Sequence, residues 1–331
     1  MIHSFEFYLE VDDCAINQLL TTYGLSGNSM SNVKSVVKSI NQKIIHLFDG
    51  IKFTTLREKH KRSYYLSLKV DLVKLLTRNN IEEKDYQLIH ERIQDMINHS
   101  FGMHVSFESH VLTRIDYKHD VYLNNEAESE LLFHLIEKQT NKYRQKTKIR
   151  WMKDENGIPY RFTSSQYHKN ASSELFVYNK ELERKAKNEP ISNYQNMVRV
   201  ELRLRNGHLN SKKRQDEILF GKKLSNYFSD ALRREYFQSH VVPIMHSGDY
   251  CKINLVRQKL KLSNFSKVKK ERLEDFMISI SRGSLDTPKN HLSPATYRNY
   301  LKELSSLGIN PILIPKNRKD FPSFFKNPFS F

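Results

Sequence analysis

Residues 2–11, IHSFEFYLEV, alternate apolar and polar side chains, the two-residue period of a β-strand with one buried face. From 31 to 48, SNVKSVVKSINQKIIHLF, the apolar residues recur at helical spacing instead. The alternation returns in IKFTTLREKHKRSYYLSLKV, residues 51–70, on both sides of the basic stretch EKHKR, which predicts two strands joined by a hairpin. A helix is expected near 81–99, a long strand over 104–123, and a helix from about 126 to 145. Short strands near 158–163 and 173–178 lead to the strand MVRVELRLR, residues 197–205.

Strands interleaved with helices predict an α+β fold, antiparallel sheets with helices packed on one face. After about residue 210 the pattern turns mostly helical, so the chain divides into an α+β domain, 1–208, and an accessory or DNA-binding region, 209–331. In HLSPATYRNYLKELSSLGINPI, residues 291–312, Ser293 is placed to cap a helix that starts at Pro294 and closes at Gly308. Tyr297, Tyr300 or Leu301, Leu304 and Leu307 form its apolar stripe, expected to dock on a core. The final FPSFFKNPFSF holds five phenylalanines, expected to cover a core surface.

Composition narrows the function. With 38% hydrophobic and 27% charged residues, the 331-residue chain is globular rather than disordered. No apolar run approaches the roughly 20 residues needed to cross a bilayer, and the acidic, strand-like N-terminus is no signal or transit peptide. A cytoplasmic protein without a membrane partner is expected. Cys14 and Cys251 stand alone, which argues for reduced thiols and against a zinc finger. No GxxxxGK[ST] or GxGxxG occurs, so ATPase and dinucleotide readings lack support. Against 37 Asp and Glu stand 54 Lys and Arg, a net charge of +17 spread along the chain. An AT-rich genome would also enrich lysine, but the excess favours a polyanionic partner, nucleic acid.

Strand parity then groups the polar residues. In SSELFVYNK, Leu175 and Val177 share the core face, so Tyr178 projects from the other. In MVRVELRLR, Arg199, Glu201, Arg203 and Arg205 oppose Val198, Val200, Leu202 and Leu204. In LTRIDYKHD, Arg114, Asp116, Lys118 and Asp120 share a face. Each alone reads as a strand tyrosine, a solvated stripe or a salt bridge. Together, in a basic chain, they suggest a site. A tyrosine hydroxyl can attack a phosphodiester, leaving a phosphotyrosyl link and a free 3′ hydroxyl. Carboxylates can hold a divalent cation against the phosphate, and Lys and Arg can hold its neighbours.

LTRIDYKHDVYL, ELFVYNKELERK and MVRVELRLR, in that order, resemble the motifs of phage and plasmid rolling-circle replication initiators, above all the filamentous-phage gene II/X type. The chain is also similar to trans-acting plasmid Rep proteins and conjugative relaxases. YYLSLKVDLVKLLTRNNI, residues 64–81, and LSPATYRNYLKELSSLGINPI fit the phage type, so the resemblance spans roughly 60–312. It implies a Rep-like nuclease core of the kind named for its His-hydrophobic-His metal motif (HUH), acting as a site-specific single-strand endonuclease and ligase. It would nick a double-strand origin and stay attached to the 5′ end. Host helicase, polymerase and single-strand-binding protein are the implied partners, with single-stranded DNA as intermediate.

Carried over, Tyr178 is the nucleophile and Lys180 its neighbouring phosphate contact, with Glu201 as acid/base or metal ligand. Asp116 and Asp120 complete the expected site for Mg2+ or Mn2+. Arg114, Lys118, Arg199, Arg203 and Arg205 are the expected DNA contacts. One departure stands out: among 14 histidines there is no His-x-His pair, so metal binding would rest on carboxylates, with His110 or His119 as helpers. Tyr167, beside His168, is a rival nucleophile. A relaxase within the same chemistry, or a non-catalytic DNA-binding regulator, are the alternatives.

Overall fold

The structure is a computed structural model that describes residues 1–25, 33–60, 62–139, 146–148, 151–153, 158–161 and 164–329. Ser31 and Asn32 at the head of one expected helix, Lys61 in the expected hairpin, the 140–145 end of another expected helix and the 162–163 end of an expected strand lie outside these residues. Two compact units interleave along the chain. The first comprises Met1–Lys118, Ala171–Ser173 and Arg203–Arg233; the second comprises His119–Asn170, Glu174–Leu202 and Arg234–Phe331. The expected boundary at 208 follows the change from strands to helices, whereas the units exchange within three strands and one helix.

In the first unit β1 (Ile2–Asp12) pairs antiparallel with β3 (Ser63–Asp71) on one side and β4 (Val111–Tyr122) on the other. β2 (Ile51–His60) pairs with β3, and β10 (Met197–Arg205) follows β4, giving the order β2-β3-β1-β4-β10. The alternation in β1 buries Phe5, Phe7 and Leu9 completely and turns Glu6 and Tyr8 to the half-exposed face. Asp12 ends that strand by accepting the Ala15 N–H at 2.8 Å, which starts α1 (Asp13–Thr22). α1 packs on α4 (Tyr86–Phe101), whose Ile89, Ile93, Met96 and Ile97 are fully buried.

Helix α2 (Val33–Ile44) lies along β2. There the Asn41 amide donates to the Phe53 carbonyl at 2.8 Å and accepts the Phe53 N–H at 2.9 Å. Asp71 caps the single turn α3 (Leu72–Leu75).

The strand expected from 104 begins only at Val111. Gly102 adopts φ +66°, Ser106 accepts the Glu108 N–H at 3.2 Å, and two short 3₁₀ turns precede the strand. The alternating Val105 and Phe107 are buried by those turns and not by a sheet.

In the second unit the order is β4-β10-β9-β8-β5, with β5 (Lys146–Lys148), β8 (Ser165–Lys169) and β9 (Ser173–Asn179). Separately, β6 (Trp151–Lys153) pairs antiparallel with β7 (Pro159–Arg161). α5 (Glu126–Ile136) and α6 (Lys180–Lys185) accompany these strands. From Asn206 onward the chain is mostly helical: α7 (Asn206–Gln215), α8 (Glu217–Phe220), α9 (Asp230–His240), α10 (Val242–Met245), α11 (Ile253–Leu262), α12 (Lys267–Arg282) and α13 (Pro294–Ser306).

α13 starts where expected, with Ser293 accepting the Thr296 N–H at 3.1 Å, and Gly308 follows it at φ +65°. Tyr297 and Tyr300 set their rings edge-on to Phe276 of α12, at 5.5 and 5.4 Å. Of the tail phenylalanines, Phe321, Phe325 and Phe329 are buried. The architecture is α+β: antiparallel strands with helices, followed by a helical C-terminal region.

Candidate active site

β9 hands over to α6 at Asn179. This residue is buried, and its side chain accepts the Leu182 N–H at 2.9 Å and donates to Ser129 Oγ at 3.0 Å. The cap fixes where the strand ends, and therefore where Tyr178 stands one residue earlier. Leu175 and Val177 are fully buried on one face of β9; Phe176 and Tyr178 are half-buried on the other.

The Tyr178 hydroxyl donates to Glu201 Oε1 of β10 at 2.7 Å. Burial first, then the Glu201 carboxylate, raise the phenol's pKa well above its ordinary value, so the oxygen keeps its proton at neutral pH. The Lys180 ammonium sits 5.7 Å from the centre of the Tyr178 ring and donates to Glu183 Oε2 at 2.7 Å. Lys187 also pairs with Glu183. Burial alone would raise the Glu183 pKa, but the two lysines hold it below the usual range.

The arginines expected to meet DNA behave differently. Arg199 is 1% exposed and binds Asp120 with both its Nε, at 2.5 Å, and its Nη2, at 2.9 Å. Burial alone would lower its pKa, yet Asp120 raises it. In the first unit Asp116, also 1% exposed, accepts from Arg114 Nε at 2.8 Å, Arg114 Nη2 at 2.5 Å and Ser4 Oγ at 2.9 Å. Arg203 adds Nε at 3.0 Å and Nη2 at 3.1 Å. Burial would raise the Asp116 pKa, but the two guanidinium groups bring it to about 2. Glu6 is a further partner of Arg114. Lys118 is buried and donates to the Asn79 carbonyl at 2.6 Å. Arg205, half-exposed, ends β10.

Tyr178, Lys180 and Glu201 thus come together, while Asp116 and Asp120 belong to separate arginine clusters. These three carboxylates do not fit a divalent cation as a set: Asp116 faces two guanidinium groups, Asp120 faces one, and Glu201 holds a phenol. Among the described residues no group of three or more His, Cys, Asp and Glu side chains is gathered to hold a metal.

His110 is taken as well. Its Nδ1 pairs with the Phe107 carbonyl and its Nε2 accepts the Leu224 N–H at 2.8 Å, and burial lowers its pKa to about 4. His119 lies edge-on to Phe237, 6.2 Å between ring centres. Tyr167, the rival nucleophile, stacks on Phe176 with ring centres 4.4 Å apart.

Sequence reasoning missed Glu183 and Asn179. The signal for Asn179 was present: an asparagine directly before KELERK is a helix cap.

Residues 10–241, more than two thirds of the chain, match the family model for the N-terminal region of the gene II replication-associated protein of phages. The chain belongs to that family. It is therefore a phage-type replication-associated protein, in keeping with the resemblance to rolling-circle initiators. No curated protein matches it. In this replication-associated protein Tyr178, Lys180, Glu201, Asp116 and Asp120 all lie within the matched span. No helix among its described residues is long and apolar enough to cross a membrane.

Proposed function

We propose that this protein initiates rolling-circle replication by nicking one DNA strand with Tyr178. The observation that carries the reading is the 2.7 Å hydrogen bond from the Tyr178 hydroxyl to Glu201. A phenol whose pKa is raised cannot act as a standing phenolate, so its proton must leave as the bond to phosphorus forms. Glu201 is in place to take it.

In the proposed step the phenolic oxygen attacks the phosphorus and the bond from phosphorus to the 3′ oxygen breaks. The proton passes to Glu201 and from there to the leaving oxygen. The products are a 5′-phosphotyrosyl ester and a free 3′ hydroxyl. Because one phosphodiester replaces another, attack by a 3′ hydroxyl on the ester reverses the step and ligates the strand.

Lys180 stands beside the ring and meets the charge that develops on the phosphate oxygens. The carboxylate at its hydroxyl is the feature that supports Tyr178 as the nucleophile. The free 3′ end would then engage host polymerase, helicase and single-strand-binding protein. No step is assigned to a metal ion, because the carboxylates expected to hold one have other partners.

The test is a supercoiled plasmid carrying the origin, incubated with protein and magnesium or manganese. The parent is expected to yield nicked circles and a covalent protein–DNA adduct. Tyr178→Phe is expected to yield neither. A Tyr178→Phe variant that still forms the adduct would move the nucleophile elsewhere, Tyr167 first. No nicked circle with the parent would support a regulator that binds DNA without cutting it.

A further inference from the structure

We infer that the groove between α2 and β2, in the first unit and outside the tyrosine site, is a second seat for the DNA backbone. The inference rests on the reading of the protein as acting on DNA. The groove encloses about 880 Å³, and Lys34, Lys38 and Lys52 line it with no acidic side chain among its lining residues. All three lysines are exposed, and none of their ammonium groups makes a hydrogen bond or ion pair to another described residue. Lys34 and Lys38 sit one turn apart on α2, about 6 Å between Cβ atoms. Phosphates along one strand of duplex advance about 3.4 Å each along the helix axis, so two flexible lysines about 6 Å apart at Cβ can reach phosphates one or two steps apart. Ile45, 53% exposed, gives the groove an apolar side suited to deoxyribose.

A second observation points to an anion. Lys52 stands directly opposite Lys69 across the β2–β3 pair. Like charges facing each other on adjacent strands destabilise a sheet unless something between them carries the opposite charge. Lys69 is half-buried; burial first, then Arg114 and Lys52, lower its pKa despite the pull of Asp116 and Glu6. Asp49 and Asp71 line an adjoining pocket together with Lys52 and Lys69. Asp71 is already occupied by the Val73 and Lys74 N–H groups. Glu6 faces Lys69 from β1 but is paired with Arg114, so a phosphodiester strand laid along the groove adds negative charge beside Lys52. In a chain of net charge +17 from a replication family, DNA is the polyanion that fits.

The experiment measures binding to an uncleaved duplex, by fluorescence anisotropy without divalent ions, from about 50 to 200 mM salt. Each phosphate contact contributes about 0.7–0.9 to the slope of log affinity against log salt. The triple variant Lys34→Gln/Lys38→Gln/Lys52→Gln is therefore expected to lower the slope by about 2–3. It is expected to melt at or slightly above the parent's temperature, since these side chains hold nothing in the fold and Lys52→Gln relieves the repulsion with Lys69. A control triple, Lys261→Gln/Lys302→Gln/Lys319→Gln, removes the same charge from exposed lysines of the second unit and is expected to leave most of the slope intact.

Equal slopes for parent and groove variant overturn the inference, as does an equal loss in both triples, which would reflect net charge alone. Unchanged DNA binding together with lost binding to an acidic peptide assigns the groove to protein and also overturns it. A parent that binds no DNA overturns the functional reading instead.

Discussion

Asp116→Asn separates the two roles open to that carboxylate, metal ligand and counter-charge. Asp116 is 1% exposed and accepts five hydrogen bonds, four from arginines and one from Ser4. An amide keeps the shape but removes the charge and turns an NH₂ group toward other donors. Removing one partner from a buried ion pair costs about 3–5 kcal/mol. Arg114 and Arg203 keep side-chain exposures of 14% and 24%, which places the expectation near the low end, about 3 kcal/mol.

The depressed pKa, which has the same arginines as its cause, points the same way. It lies at about 2 in the folded chain against 3.8 ordinarily, and at about 1.4 kcal/mol per pH unit this is ~2 kcal/mol. The group is depressed, so its stabilisation is complete above pH 3.8 and is lost as pH falls toward about 2. Thermal melting at pH 7 should show the variant roughly 5–10 °C below the parent. The gap should narrow as the buffer is taken from about pH 4 toward about pH 2. A variant as stable as the parent, whose nicking no longer depends on divalent ions, would refute the counter-charge argument and make Asp116 a ligand.

Two further outcomes follow from the site and the core. Glu201→Gln keeps a hydrogen-bond acceptor for Tyr178 but no base, so adduct formation in single-turnover gels should slow by about 10²–10⁴ while melting changes little. Equal rates would remove Glu201 from the chemistry. His110 and His168 are 2% and 1% exposed, and burial lowers both pKa values to about 4. Depressed histidines favour the neutral form, so folding stability should fall as pH drops from 6.5 toward about 4. Urea midpoints at about pH 5 and pH 7 check this, and a midpoint no lower at the acid end contradicts it.

Much of the fold was legible where a segment buries one face only. β1, the β2–β3 hairpin and β10 appear at nearly the expected residues, because a two-residue period leaves little freedom of register. α13 was legible from its cap, its proline and its glycine. The segment before β4 was not, since Val105 and Phe107 alternate for a reason unrelated to a ladder.

At the site, parity found the Tyr178–Glu201 face, but it could not say which charges cancel. Arg199 and Asp120 lie on strands far apart in sequence, and only the fold shows that they neutralise each other. Parity also treats any polar stripe as open to solvent. In β10 that stripe includes a fully covered guanidinium, so outward-facing and accessible proved to be different properties.

The two hydrogen bonds between Asn41 and Phe53 carry a consequence for self-association. β2 ends the strand order of the first unit, and an outermost strand offers its peptide groups to any passing chain of similar shape. One carboxamide from a neighbouring helix imitates the next strand near the start of that rim and occupies contacts that another chain would need there. Copies of the protein are thereby kept from zipping together along that rim.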